Sequence, residues 1–98
     1  MKKALVINPQ DNVAVALAEI KLGEKLSIEI GGKTIVLIAR SNIPFGHKFA
    51  IKKIPKGDEV IKYGEVIGRA TADIEVGEHV HVHNVESLVG RIREERKS

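Results

Sequence analysis

Three stretches of this 98-residue chain share one spacing, Ala-x-x-x-Ile-x-x-Gly-x-x-(Leu/Val). They pass through Ala16, Ile20, Gly23 and Leu26, then Ala50, Ile54, Gly57 and Val60, then Ala70, Ile74, Gly77 and Val80. An acidic residue follows each glycine: Glu24, Asp58 and Glu78. The physical reading is a strand that ends near Ala, followed by a tight turn that drops Ile into the core. Gly then adopts a backbone conformation costly for other residues and launches the next strand. One corner used three times predicts a compact, folded-over β structure rather than a simple meander. The copies lie 34 and then 20 residues apart (16 to 50, 50 to 70), which argues against a regular solenoid.

The segments between the corners agree with an all-β domain. Lys3–Asn8 reads as a first strand closed by the turn-rich Asn8-Pro9-Gln10-Asp11-Asn12, and Val13–Leu17 as a buried run. Leu26–Ile30 alternates, meets Gly31-Gly32, and returns as Thr34–Ala39, a hairpin. Shorter apolar runs follow at Phe49–Ile51, Val60-Ile61 and Val66-Ile67. The end differs. Val85, Leu88, Val89 and Ile92 fall at i, i+3, i+4 and i+7, which predicts a short C-terminal helix over 85–98 with Asn84 as N-cap and a frayed tail. Residues 1–98 are expected to form a single domain.

Composition removes several function classes. Without cysteine, disulfides, thiolate nucleophiles and zinc–thiolate or iron–sulfur sites are excluded from this chain. The net charge of +3 is mild, and the three aromatics (Phe45, Phe49, Tyr63) are not interleaved with basic residues, so no nucleic-acid interface is expected. No segment approaches the roughly 20 apolar residues of a bilayer span, and the run Ala4–Ile7 stops too early for a signal peptide. A cytoplasmic protein without a membrane partner is expected. The serines lack a nucleophile-elbow motif, and no phosphate-binding glycine loop is present.

What chemistry remains gathers around histidine. His79, His81 and His83 alternate with Val80 and Val82, so on a strand all three imidazoles would leave one face, the outer two roughly 13 Å apart at about 3.3 Å per residue. One metal could take a neighbouring pair, His79/His81 or His81/His83, and a third ligand would have to come from His47, the remaining histidine. Three further clusters carry polar groups: the turn Asp11-Asn12, the bend Pro44-Phe45-Gly46-His47-Lys48, and Lys62-Tyr63-Gly64-Glu65 before a strand. The set suits a divalent metal or acid–base chemistry at an oxyanion.

Four motifs in order, Asp11-Asn12-Val13-Ala14-Val15-Ala16-Leu17, Gly46-His47-Lys48-Phe49-Ala50, Ile61-Lys62-Tyr63-Gly64-Glu65-Val66-Ile67-Gly68 and Gly77 to Asn84, resemble the N-terminal domain or small subunit of the altronate/galactarate dehydratase family. The resemblance covers nearly everything from Leu5 to Asn84 and implies an SAF domain with a β-clip fold. It implies a hydro-lyase subunit that dehydrates a sugar acid such as altronate to a 2-keto-3-deoxy acid, with a separate large subunit and a divalent metal, Fe2+ or Mn2+. The related sulfolactate sulfo-lyase small subunit, which serves elimination of sulfite, is the second reading, and a non-enzymatic SAF module binding carbohydrate or protein the third. Carried onto this chain, His47, Lys48, His81 and His83 are the implied catalytic residues, with His47, His81 and His83 as metal ligands. Asp11, Asn12, Tyr63 and Glu65 are the implied substrate contacts. Family members often have His where this chain has Asn8, and Asn cannot shuttle a proton. Little turnover is expected from this chain alone, and exposed strand edges leave a homo-oligomer open.

Overall fold

The computed structural model describes residues 2–87. Its centre is an antiparallel sheet in the order β1 (Ala4–Leu5), β2 (Val13–Ala16), β5 (Lys48–Ala50), β8 (His79–Val80). Two further sheets flank it: the hairpin β3 (Lys25–Ile30) with β4 (Lys33–Ile38), and β6 (Glu59–Lys62) with β7 (Glu65–Ala70) and β9 (Val85–Ser87). The central strands are buried on both faces, which is why Val13–Ala16 reads as a continuous apolar run instead of alternating. Val13 and Ala50 face one core with Ile54, Val60, Ala70, Ile74 and Val80. Their chain neighbours Ala14 and Phe49 face the other, with Ile20, Leu26, Ile43 and Ile51.

The repeated corner is the unit from which this is built, and there are four copies. The fourth runs Ala39, Ile43, Gly46, Phe49 and has the same spacing. Each glycine has φ between 83° and 93° and sits third in a hydrogen-bonded turn, closed by the N–H of Glu24, His47, Asp58 or Glu78. That is the position where a type II turn needs φ > 0 and so favours Gly. The corners interlock in two pairs with the same bonds. Gly23 N–H donates to Ala39 O and Gly46 N–H to Ala16 O, both at 2.8 Å, while Ile20 and Ile43 exchange backbone bonds between them. In the second pair Gly57 N–H donates to Ala70 O and Gly77 N–H to Ala50 O, and Ile54 and Ile74 make the matching exchange. All four isoleucines are essentially solvent-free.

The C-terminal helix is corrected in its first turn. Val85–Ser87 is a strand paired with Gly68–Ala70, and the rest of the predicted helix lies outside the described residues. Gly68 explains the pairing, since a Cβ there would meet Val85 Cγ1 at 2.6 Å and Glu86 O at 2.7 Å. The missing side chain lets β9 lie close to β7.

Candidate functional site

His47 owes its freedom to the proline three residues before it. In two corners the carboxylate after the glycine caps its own turn: Glu24 Oε1 accepts from Lys21 N–H and Glu78 Oε1 from Glu75 N–H, both at 3.1 Å. The corresponding residue is Pro44 in the Gly46 corner and Pro55 in the Gly57 corner, and neither has an N–H to cap. The side chain at 47 is therefore spared this duty, and an imidazole stands where the other corners carry acids.

Strand pairing then gathers the histidines. Lys48 lies opposite Val80 and Phe49 opposite His79, so His47 and His81 meet where β5 and β8 adjoin. The ring centroids of His47 lie 4.4 Å from His81 and 5.1 Å from His79, with the planes nearly parallel. His47 Nδ1 is hydrogen-bonded to His79 Nε2 at 2.9 Å. Such a bond needs one protonated and one bare nitrogen, so a metal bound by both rings would take the place of the shared proton.

The straight histidine strand is corrected. The strand ends at Val80 and the chain turns through His81–Asn84. Buried Asn84 staples this turn: its Oδ1 accepts from His81 N–H, its Nδ2 donates to His79 O, both at 2.9 Å, and its own N–H donates to His81 O. Val82 consequently points into solvent, 82% exposed, where a continued strand would have buried it like Val80. His83 folds back, so its ring is 5.3 Å from that of His79, not the expected far end of a strand.

Nitrogen atoms of His47, His79 and His81 all lie within 4.8 Å of one another. Imidazoles bind a first-row metal at about 2.0–2.1 Å, so adjacent ligand atoms sit roughly 3 Å apart, the spacing that His47 Nδ1 and His79 Nε2 have at 2.9 Å. Of the two neighbouring pairs open to a strand, the structure brings His79/His81 to His47, so His79 takes the place that the resemblance implied for His83, which lies beside the set. The electrostatics favour neutral, metal-ready rings. Burial, then the neighbouring His47, His83 and His81 and Lys48, push His79 down to about 4. Burial, His47 and Lys48 push His81 down as well. This predicts a pH dependence for the metal-free protein. The unfolded chain takes up the His79 proton near 6.5, the folded chain only near 4, so the unfolded state binds more protons in between. Stability is expected to fall as pH drops through that window, by about 1–2 kcal/mol once solvent screening of this partly exposed ring is allowed for. Urea unfolding in chelator at the two ends of the window checks it, and His79→Gln should flatten the profile.

The remaining site residues surround the β6–β7 hairpin. Asp11 is fully buried, its oxygens accepting from Asn8 N–H (3.2 Å) and Gly64 N–H (2.8 Å). Asn12 brackets the hairpin, with Nδ2 donating to Glu59 O and Oδ1 accepting from Ile61 N–H, both at 2.8 Å. Both side chains are thus engaged with backbone. Tyr63 and Glu65 stand at the hairpin tip, where Tyr63 has φ +54° and Lys62 Nζ lies 5.0 Å from its ring centroid. Lys48 and Lys62, with His81, Val82, Ile67 and Val85, line an open cleft of ≈ 340 Å³.

Over residues 2–88 the sequence matches the family model of the altronate/galactarate dehydratase SAF domain. The chain belongs to this family. It is 40% identical to the altronate dehydratase of Bacillus subtilis over an alignment 98 positions long, which covers 95% of this chain and 18% of that protein. It is 50% identical to the Escherichia coli altronate dehydratase over 78 residues, 80% of this chain and 15% of that protein. The (2R)-sulfolactate sulfo-lyase subunit alpha of Chromohalobacter salexigens is 37% identical over 86 residues, 85% of this chain and 92% of the subunit. The chain therefore spans less than a fifth of the altronate dehydratases it matches. The SAF domain thus occurs both as part of a long lyase chain and as a small subunit. Among the described residues, no helix is long and apolar enough to cross a membrane.

Proposed function

We propose that this SAF domain is the small component of a metal-dependent hydro-lyase that dehydrates a sugar acid of the altronate type, working with a large catalytic partner. The observation that carries the reading is the convergence of three imidazoles from two distant segments, held with ring nitrogens facing one another. His47, His79 and His81 would hold Fe2+ or Mn2+, which supplies Lewis-acid polarisation of substrate oxygens.

The reaction removes the proton beside the carboxylate and expels the hydroxyl from the next carbon as water, and the resulting enol becomes the 2-keto-3-deoxy acid. An imidazole is a base suited to this chemistry, and we assign that role to His83, whose ring lies 5.3 Å from that of His79 and outside the trio. Lys48 is the matching acid for the departing oxygen, since burial and the nearby charge of Lys62 pull its ammonium below the ordinary lysine value. Tyr63 and Glu65, at the hairpin tip, would meet the far hydroxyls, and Asp11 and Asn12 would act through the hairpin they hold.

A second reading, elimination of sulfite from sulfolactate, is favoured by the match to almost the whole length of a sulfo-lyase alpha subunit. It uses the same residues with a different leaving group. Assay of the purified chain mixed with a large lyase subunit, on altronate and on sulfolactate, tests both. Turnover is expected to require both chains, and a large subunit equally active without this one would refute the role.

A further inference from the structure

Lys48 and Lys62 form a pair of ammonium groups without an acidic partner among the described residues. Three other lysines have acidic partners: Lys3 with Glu24 at 2.6 Å, Lys21 with Glu19 at 3.4 Å and Lys53 with Glu75 at 3.6 Å. Lys62 instead lies over the Tyr63 ring, and Lys48 is half-buried in the wall of the cleft. Like charges facing a partly apolar cleft repel, and the low dielectric between Ile67 and Val85 strengthens any charge that enters. Only an anion turns that repulsion into attraction.

The fold also fixes where Lys62 stands. Its neighbour Ile61 is tied to Asn12 in both directions, Ile61 N–H to Asn12 Oδ1 and Asn12 N–H to Ile61 O. Two residues further on, Gly64 N–H is held by the buried Asp11 carboxylate. The turn between them accepts the left-handed Tyr63, a conformation that costs a non-glycine residue about 1 kcal/mol or more. Gly64 beside it is left-handed as well, at φ +77°, and a Cβ there would have to push aside the Asn8 side-chain amide. Asp11 and Asn12 are thereby positioning residues for a charged hairpin.

We infer that the cleft between the β6–β7 hairpin and the 81–84 turn is an anion subsite, in which Lys62 grips the carboxylate or sulfonate of the substrate and leaves Lys48, which also lines the cleft, to the departing oxygen. His81 is shared between this cleft and the imidazole trio, so an acid group gripped here has its neighbouring carbons at the trio. The inference rests on the lyase reading for the substrate's identity, but the subsite itself is a property of this chain.

Amide NMR of the isolated chain in chelator, titrated with glycerate, isethionate and neutral glycerol, tests it. Saturable shifts clustered at residues 48, 62, 67 and 85 are expected with one or both anions and absent with glycerol. The anion bound more tightly tells carboxylate from sulfonate. Lys62→Gln should weaken binding roughly 5- to 10-fold, as removal of one charge-assisted contact does, and Lys62→Arg should retain it. No saturable shift, or equal affinity in Lys62→Gln, overturns the subsite. Because metal is excluded, a chain that fails to bind Mn2+ or to complement a large subunit can still show Lys62-dependent glycerate binding, so the two readings fail separately.

Discussion

Gly77→Ala is expected to cost the domain about 3 kcal/mol or more, a large share of what a domain of this size has, while Gly57→Ala should cost only about 1–2 kcal/mol. The two glycines occupy equivalent corners with nearly the same backbone, φ +91° and +93°. Each alanine would carry the strain of a left-handed conformation. They differ in what a Cβ would meet. At Gly57 nothing lies within 4 Å, whereas at Gly77 a Cβ would run into the backbone carbonyl of Ile38 and come within 3.3 Å of Arg40 N. Backbone cannot swing aside as a side chain does. Gly77 O also accepts the Arg40 N–H at 2.9 Å, so yielding would break a bond between the two halves of the fold. Urea unfolding of both variants under one condition measures the difference. Equal losses would mean that residues 38–40 do not abut the Gly77 corner, and the packing described above would be wrong.

That comparison also marks what the amino-acid pattern could disclose. Three corners were legible because Ala, Ile and Gly recur at fixed offsets with an acid after the glycine. The fourth escaped because Phe49 fills the place of Leu or Val and His47 the place of the acid. Both departures become intelligible only in three dimensions: Phe49 is fully buried in a core large enough for it, and position 47, freed from capping by Pro44 as Asp58 is by Pro55, is the one that strand pairing sets beside His79 and His81. The Gly31-Gly32 hairpin was legible from local chemistry, and the structure has it with both glycines at positive φ. Val85 was misread because one short segment satisfied helical spacing, while its true partner, the bare backbone at Gly68, lies far away in sequence. The histidine run misled for a similar reason. Alternation predicted a strand, but a turn stapled by the side chain of Asn84 outweighs the β-preference of a single exposed Val82.

The folded-back turn decides which histidines matter, and His79→Ala against His83→Ala separates the two possible ligand sets. An extended strand left His47 to share a metal with either His79/His81 or His81/His83, and the family resemblance implied the second pair. The turn instead gives His47, His79 and His81 mutual nitrogen distances within 4.8 Å and leaves His83 outside. Losing one of three imidazole ligands is expected to weaken Mn2+ or Fe2+ binding by about 100-fold or more, because the remaining pair cannot close the coordination shell. Losing His83 should change affinity by no more than about threefold, through the removal of a nearby positive charge when it is protonated. In the reconstituted lyase the same His79 change should remove nearly all turnover, and excess metal should restore only part of it. His83→Ala should instead lower kcat with metal affinity intact, as loss of a base does. Competition with a chromophoric chelator gives the affinities, and an unfolding midpoint for each variant near neutral pH guards against misfolding. His79→Ala should fold normally there, since the ring it removes is partly exposed and neutral at that pH. A chain that binds metal undiminished without His79 but loses it without His83 would have its ligands in the straight-strand arrangement, and the Asn84 turn would then have to open before metal enters.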